Sequence, residues 1–542
     1  MRSTFHGLEV ARRGMTTQQA ALYTTGHNIA NANTPGYTRQ RVNFVQTEPY
    51  PAPSRNRPEI PGQMGTGVEA GSIQRVREGF LDVQYRGENQ KLGYWEARSN
   101  NISRMEDIFT EIGGSGLSKV MDEFWQSLQD LSVSPENEGA RAVVRQRGIA
   151  VTDTFHYLSD SLHQVRTEIG SQIGVSVNEV NAILEQIAKV NAQINEIEPH
   201  GYLPNDLYDK RDQLVDDLSK HMAVKVTAVK LDSEKTNASP MAEGSYTISF
   251  IHSGTEYKLV EGTQFDKVSV ENGQDLDGDG VTETPGESFT AFQLTGALNG
   301  GVTITAGSGN EAAFPMGRLK GLVESYGYGT TDPQQGLYPQ MLNNIDHLAY
   351  SFGTLFNEVH KQGHGIGDDN TNKSFFDGLN TGGTPPHKGA AKAIVLHNDI
   401  EIDLKNIAVS TEKGETGNGL HALNLANLNS TNLANGSMKL VGLPDLALPN
   451  DILTSGTLKT NYGGWIGKLG VDGQQAVRMQ LNTNTLLQSV ETRRQSVSAV
   501  SLDEEMTNMV KFQHAYNAAA RNLTVIDEML DKIINGMGVG GR

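Results

Sequence analysis

Residues 28–41 read Asn-Ile-Ala-Asn-Ala-Asn-Thr-Pro-Gly-Tyr-Thr-Arg-Gln-Arg, and the way this stretch ends a helix organises the rest of the chain. Upstream, Leu8, Met15, Leu22 and Ile29 recur every seven residues; at the far end Leu502, Met509, Tyr516, Leu523, Leu530 and Met537 do the same. A seven-residue apolar repeat is the seam that one helix offers another. Two such helices at opposite ends of one chain are therefore expected to pair. Pro35 disfavours a helical Thr34 and Gly36 permits a turn, which stops the first helix. Ser501 and Glu504 have the spacing of a capping box, and Asp503, Glu504 and Glu505 suit the positive end of the second helix.

The chain has 542 residues, enough for about three to four domains. Its formal net charge of -18 argues against nucleic acid, whose recognition needs basic surface. Cysteine is absent, so disulfides, thiolate metal sites and cysteine nucleophiles are excluded. No run approaches the roughly 18 to 20 apolar residues of a membrane span, and residues 1–20 lack the apolar core of a signal peptide. The expectation is a protein without membrane insertion that, if it leaves the cell, does so without a cleaved leader.

Between the two end helices the pattern changes in a nested order. Prolines and glycines punctuate residues 49–67, followed by an extended piece over 68–76. Residues 80–222 read as long helices. Among them Ile169, Ile173, Val177, Val180, Leu184, Ile187, Asn191, Ile194 and Ile197 form a seam with one polar position. Asn191 is expected either to fix the register of a helix pair or to sit solvated at the seam edge. From residue 223 apolar and polar residues alternate in short runs broken by glycine and asparagine, an all-β insertion reaching about residue 315. Helix returns at 317–361, a strand is expected where Ile400, Ile402 and Leu404 alternate with acidic residues, and a last long helix covers about 453–494. The fold class is mixed and mainly α. Residues 1–40 and 498–542 form a terminal coiled-coil domain, 41–222 and 316–497 a helical bundle with some β, and 223–315 an inserted β-rich outer domain.

Asp275, Asp277, Asp279 and Gly280 form the first half of a calcium loop, three carboxylates on alternate residues ahead of a glycine turn. The glutamate expected at loop position twelve is missing, since Gly286 stands there. The segment is either a structural calcium site or a solvated acidic turn; no other cofactor is expected. His360 and His364 have a metal-ligand spacing, yet the flanking glycines and the lack of a His-Glu-x-x-His pattern favour surface or helix-end residues. No catalytic grouping emerges. The paired end helices bury little against the entropy of ordering them, so they are expected either to be mobile in a monomer and to order on assembly, or to form an ordinary intramolecular coiled coil.

Residues 28–40 resemble the N-terminal signature of the bacterial flagellar rod, hook and hook-associated axial proteins. Residues 498–506, 512–521 and 527–531 resemble the C-terminal signature of the same family. Pro35-Gly36-Tyr37, where hook proteins usually carry Val-Gly-Phe, resembles the hook-associated branch, as do residues 204–212 and 356–363. The resemblance implies a non-enzymatic structural protein that self-assembles at the distal end of the hook and joins hook to filament. It further implies a homo-oligomeric ring or helical zone contacting hook protein and a second junction protein. A cytoplasmic export chaperone, type III export and an extracellular place on the flagellum are implied as well. The residues it assigns to the assembly interface are Leu8, Met15, Leu22, Asn28, Ile29, Asn31, Pro35, Gly36, Tyr37, Leu502, Met509, Tyr516, Leu523 and Leu530. Another axial subunit of hook or rod is the competing expectation within the family, and a flagellum-borne adhesin or enzyme the competing one outside it.

Overall fold

The computed structural model describes residues 5–55, 62–110, 116–232, 236–272, 289–305, 314–329, 334–366, 372–383, 385–449 and 451–536. Helix α1 (Phe5–Ala30) leads into an antiparallel hairpin of β1 (Gln40–Gln46) and β2 (Val68–Arg75). Four helices follow: α2 (Gly79–Thr110), α3 (Leu117–Val133), α4 (Glu138–Ile197) and α5 (Asn205–His221). At about 1.5 Å per residue α4 is about 90 Å long and forms the spine of the bundle. Its entry is capped by Asn137, whose side chain accepts from the Ala140 N–H.

The insertion consists of two small antiparallel sheets. The first takes β3 (Lys225–Val229), β4 (Ser245–His252), β5 (Thr255–Glu261) and β6 (Gln264–Phe265) in sequence order. The second takes β7 (Lys267–Asn272), β8 (Phe289–Thr295) and β9 (Val302–Thr305). Phe250 and Phe292 meet edge-on at 5.5 Å and join the two. Both sheets lean on α4, and their apolar residues continue the core of the bundle. Asn191 explains how. Fully buried, it donates to the carbonyls of Tyr246 and Gly262 and accepts from the Tyr246 N–H. Asn181, ten residues earlier on α4, brackets Val268 in the same way. The polar position in the seam thus neither faces a second helix nor meets water. It satisfies strand backbone groups that burial against a helix would leave unpaired.

Beyond the insertion lie α6 (Arg318–Tyr326), α7 (Leu337–His360), the short α8 (Ala390–Ala393), α9 (Asn398–Ile402) and α10 (Leu420–Asn427), and the long α11 (Leu458–Ser498) and α12 (Leu502–Gly536). The strand expected through Ile400, Ile402 and Leu404 is instead α9 and a single 3-10 turn; Ile400 is buried and Ile402 is 76% exposed. His397 and Asp403 cap those two turns and so favour them over extended chain. Phe124 and Trp125 of α3, Phe352 and Phe356 of α7, and Phe375 and Phe376 make the aromatic centre of the core. Asn357 holds the last two in place through its side-chain bonds to their backbone.

The first and last helices pair antiparallel in one register. Gly7 lies against Ile526, Gly14 against Ala519, and Asn28 against Glu505. The line of closest approach on α1 is Gly7, Gly14, Ala21 and Asn28, one residue before the line of Leu8, Met15, Leu22 and Ile29, all four of which are partly exposed. On α12 the matching line is Glu505, Phe512, Ala519 and Ile526. Leu502 is 50% exposed, Met509, Tyr516 and Leu523 are partly exposed, and Leu530 is buried. On α1 the reason is size. The small Gly7, Gly14 and Ala21 let the axis of the partner helix come close, which pushes the larger residues of α1 to the shoulders of the seam.

Candidate assembly site

The site is the place where α1, the hairpin, α5, α11 and α12 meet. Helix α1 ends at Ala30, and residues 34–37 turn with the Tyr37 N–H donating to the Thr34 carbonyl at 3.2 Å. Pro35 pre-sets the second position of that turn, and Gly36 takes the positive φ (+77°) that its third position requires. Pro35 and Gly36 are exposed, Asn31 is partly exposed and accepts from the Thr34 hydroxyl, and Tyr37 folds back so that its hydroxyl donates to Asn28.

Asn28 is the hub. It is 1% exposed, and every polar atom of its side chain is used. Nδ2 donates to the Gln40 carbonyl at 2.8 Å and to Glu505 at 3.2 Å; Oδ1 accepts from the Gln40 N–H at 3.0 Å and the Tyr37 hydroxyl at 2.8 Å. One side chain therefore joins α1, the turn, β1 and α12. Arg39 clamps the same place from the other side. Its N–H donates to the Ser498 carbonyl at the end of α11, Nε to Glu505 at 2.7 Å and Nη1 to Glu504 at 2.6 Å. Glu504 is thus drawn to Arg39 rather than closing a capping box. Ser501 caps α12 alone, with a long bond of 3.5 Å to the Glu504 N–H.

Behind the clamp lies a buried ionic network. Arg75 binds Asp209 at 2.7 Å, Asp212 at 2.9 Å and Glu243; Arg77 binds Asp82 at 2.7 Å; Arg86 and Arg494 both reach Asp216. Asp209 also accepts from the Thr38 N–H at 2.9 Å, tying the turn to α5. Burial by itself would raise the Asp212 carboxyl, but the guanidiniums of Arg77, Arg75, Arg86 and Arg211 outweigh it and hold the group well below the usual carboxylate range. At Asp209 burial wins over Arg75 and the value is raised. Burial, reinforced by Asp206, Asp209 and Glu505, likewise raises the Tyr37 phenol, keeping it a neutral donor to Asn28.

The arrangement holds helix ends in place. Among the described residues no group of three or more His, Asp or Glu side chains is placed to hold a metal. Asp275, Asp277 and Asp279, the calcium candidates, and Met537 lie outside the described residues. His360 is buried with both ring nitrogens engaged, Nδ1 with the Lys373 carbonyl and Nε2 with the Ala408 N–H, so it does not join His364 as a ligand. Sequence reasoning missed Arg39, Arg75, Arg494 and their carboxylates. The available signal was Asp209, Asp212 and Asp216 at three- and four-residue steps on one face of α5, a row too acidic to be buried without cations.

Three family patterns match the chain. The one described as flagellar hook-associated protein FlgK helical domain covers residues 102–376; the flagella basal body rod protein pattern covers 8–38, and its C-terminal counterpart from the rod proteins covers 493–536. Flagellar hook-associated protein 1 of Bacillus subtilis is 42% identical over 545 residues, spanning 100% of this chain and 100% of its own. The protein of the same name from Salmonella typhimurium is 24% identical, with 97% of this chain and 98% of its own covered. The flagellar hook junction protein FlgK of Burkholderia pseudomallei shares the fold, with a TM-score of 0.53 over 76% of this chain and 100% of that one at 14% identity.

Proposed function

The chain belongs to the flagellar hook-associated protein 1 family, and from that premise we propose how it works as a structural subunit of the flagellum at the junction between hook and filament. The observation that carries the mechanism is the exposed surface of the terminal pair. Leu502, Met506 and Val510, then Val525, Met529 and Ile533, stand out at four-residue steps, each between 44% and 59% exposed in the single chain. Burying these residues between neighbouring copies supplies the drive for self-assembly. The clamp at Asn28 and Arg39 fixes how the pair leaves the bundle, so that every copy presents the same surface.

Hook protein below, a second junction protein above and a cytoplasmic chaperone before export are the partners this reading requires, with an extracellular position reached through the flagellar export apparatus. Among the described residues no helix is long and apolar enough to cross a membrane. We assign no catalytic step. Deletion in the bacterium that makes this chain tests the reading: hooks are expected to remain while filaments are lost and flagellin is released to the medium. Missing hooks would point to a hook or rod subunit instead. A structural calcium ion on Asp275, Asp277 and Asp279 remains a proposal from the sequence. It requires calcium to raise the melting temperature of the full chain but not of the Asp277→Asn variant.

A further inference from the structure

The chain contains five Asn-Gly pairs, beginning at Asn272, Asn299, Asn418, Asn435 and Asn535. A glycine after an asparagine has no Cβ to keep its backbone nitrogen away from the side-chain amide, so whether the two react depends on what else holds them. Asn272 is followed by a residue outside the described ones. At Asn299 both ends of the side chain are bound: Oδ1 accepts from the Lys258 N–H at 3.2 Å and Nδ2 donates to Asp266 at 2.9 Å. At Asn418, Oδ1 accepts from the Leu420 N–H at 3.0 Å, Nδ2 donates to Thr411 at 3.2 Å, and Gly419 is pressed against the Ser132 carbonyl. Asn535 lies within α12 and donates to Asp531 at 2.6 Å.

Asn435 differs from these at every point. It ends a 3-10 turn, Leu433–Asn435, and both it and Gly436 are exposed. Among the described residues its side chain has no hydrogen-bond partner, whereas Asn432, three residues earlier, binds the Ala434 N–H with its own. Gly436 has a φ of +67°, its N–H donates to no described group, and a Cβ there would meet nothing within 4 Å. Leu433 and Met438 are buried on either side, so the turn is anchored while its tip stays open. We infer that Asn435 is a site of self-modification, which cyclises onto the Gly436 backbone nitrogen and opens to aspartate or isoaspartate. Solvent base takes the exposed Gly436 proton and the nitrogen attacks Asn435 Cγ. The Cγ–Nδ2 bond breaks, and Nδ2 leaves as ammonia with a proton returned from water. Water then adds to the resulting cyclic imide. Opening at Cγ gives aspartate; opening at the backbone carbonyl gives isoaspartate, with the chain running through the former side chain. No oxidation or reduction occurs. Either product adds one negative charge to a chain that is already acidic. Isoaspartate also lengthens the backbone by a methylene just before Gly436, whose carbonyl accepts from the Leu448 N–H at 3.0 Å beside the antiparallel pair of Ser437–Met438 and Leu446–Ala447.

The test compares the native full chain with the same chain in guanidinium chloride, both aged at mildly alkaline pH. Peptides sequenced by mass spectrometry report the exchange of ammonia for water at each Asn-Gly pair, and labelling with an isoaspartyl methyltransferase reports the isoaspartate. In denaturant every pair is free to react, so each site's denatured rate is its own reference. The native rate at Asn435 is expected to be comparable to its denatured rate. At Asn299 and Asn418 the native rate should be about tenfold or more below the denatured one, because reaction there waits for local opening. Slowing at Asn435 as large as at those two sites, or no conversion of Asn435 in the native chain, would overturn the inference.

Discussion

Arg39 and Glu505, 466 residues apart in sequence, meet at 2.7 Å where the first and last helices leave the bundle. Glu505 is 3% exposed, so the contact is largely dry and charge-assisted. Removing either partner leaves the other short of its hydrogen bonds. Arg39→Ala is expected to loosen α12 by about 2–3 kcal/mol, read as faster amide exchange along α12 with exchange in α4 unchanged. In a double-mutant cycle with Glu505→Gln the coupling should be about 1–2 kcal/mol; additive effects would mean that the clamp does not operate.

Asn28 tests whether the hub is polar by necessity. Asn28→Ala strands the Gln40 N–H, the Gln40 carbonyl and the Tyr37 hydroxyl, and is expected to cost about 2–4 kcal/mol. Asn28→Asp should do worse at neutral pH, because it places a carboxylate beside Glu505 and removes the donor to Gln40. Equal stability of Asn28→Asp and the parent by denaturant titration would contradict the hub.

The antiparallel register can be locked covalently. A Cβ built on Gly14 lies 3.9 Å from that of Ala519, within the usual range of about 3.5–4.5 Å for a disulfide. In this cysteine-free chain Gly14→Cys with Ala519→Cys should oxidise to an intramolecular bond, visible as a mobility shift lost on reduction. Met15→Cys with Tyr516→Cys, which follows the lines of larger residues, should not.

Acid should weaken the bundle before it reaches the ion network. Burial lowers His360 to about 4, and its partners hold the neutral form: protonating Nε2 would set two donors, the ring N–H and the Ala408 N–H, against each other. The unfolded chain binds that proton near pH 6.5 and the folded one only near 4, so stability falls as pH drops across this window, by roughly 3 kcal/mol for this residue alone. Burial places His421 at about 3 and acts in the same sense. Asp346, which burial raises to about 6, acts oppositely and offsets part of the loss. Denaturant titrations at pH 7 and pH 5 should show the loss, and it should shrink in His360→Gln. The lowered Asp212 gives stability that is present above the ordinary aspartate value of about 3.9 and is lost only below it.

The turn itself is open to substitution. Gly36→Ala puts a Cβ at positive φ and 3.3 Å from Gln213, and is expected to cost about 1–2 kcal/mol. Pro35→Val frees the unfolded chain and costs about 0.4–1 kcal/mol. Both should reduce filament assembly more than they lower the thermal unfolding of the bundle; normal swimming of both variants would remove the turn from the assembly site.

By itself the sequence determined that the two ends carry helices of one period, that the first stops ahead of Pro35 and the second starts at Ser501, and the nested order of helix, bundle and β insertion. These follow from local rules: a seven-residue apolar repeat, a proline after threonine, a serine ahead of three acids. Only the tertiary structure decided which line of each end helix is the seam. A repeat marks a broad stripe, and within it the closest approach on the first helix falls to the small Gly7, Gly14 and Ala21, leaving Leu8 on the shoulder. It also decided that Asn191 binds strand backbone, that Ile400 lies in a helical turn, and that Arg39 and Arg75 find their carboxylates on distant helices. Charge and polarity show in a sequence that a partner is needed; which partner depends on how the chain brings distant groups into one dry place.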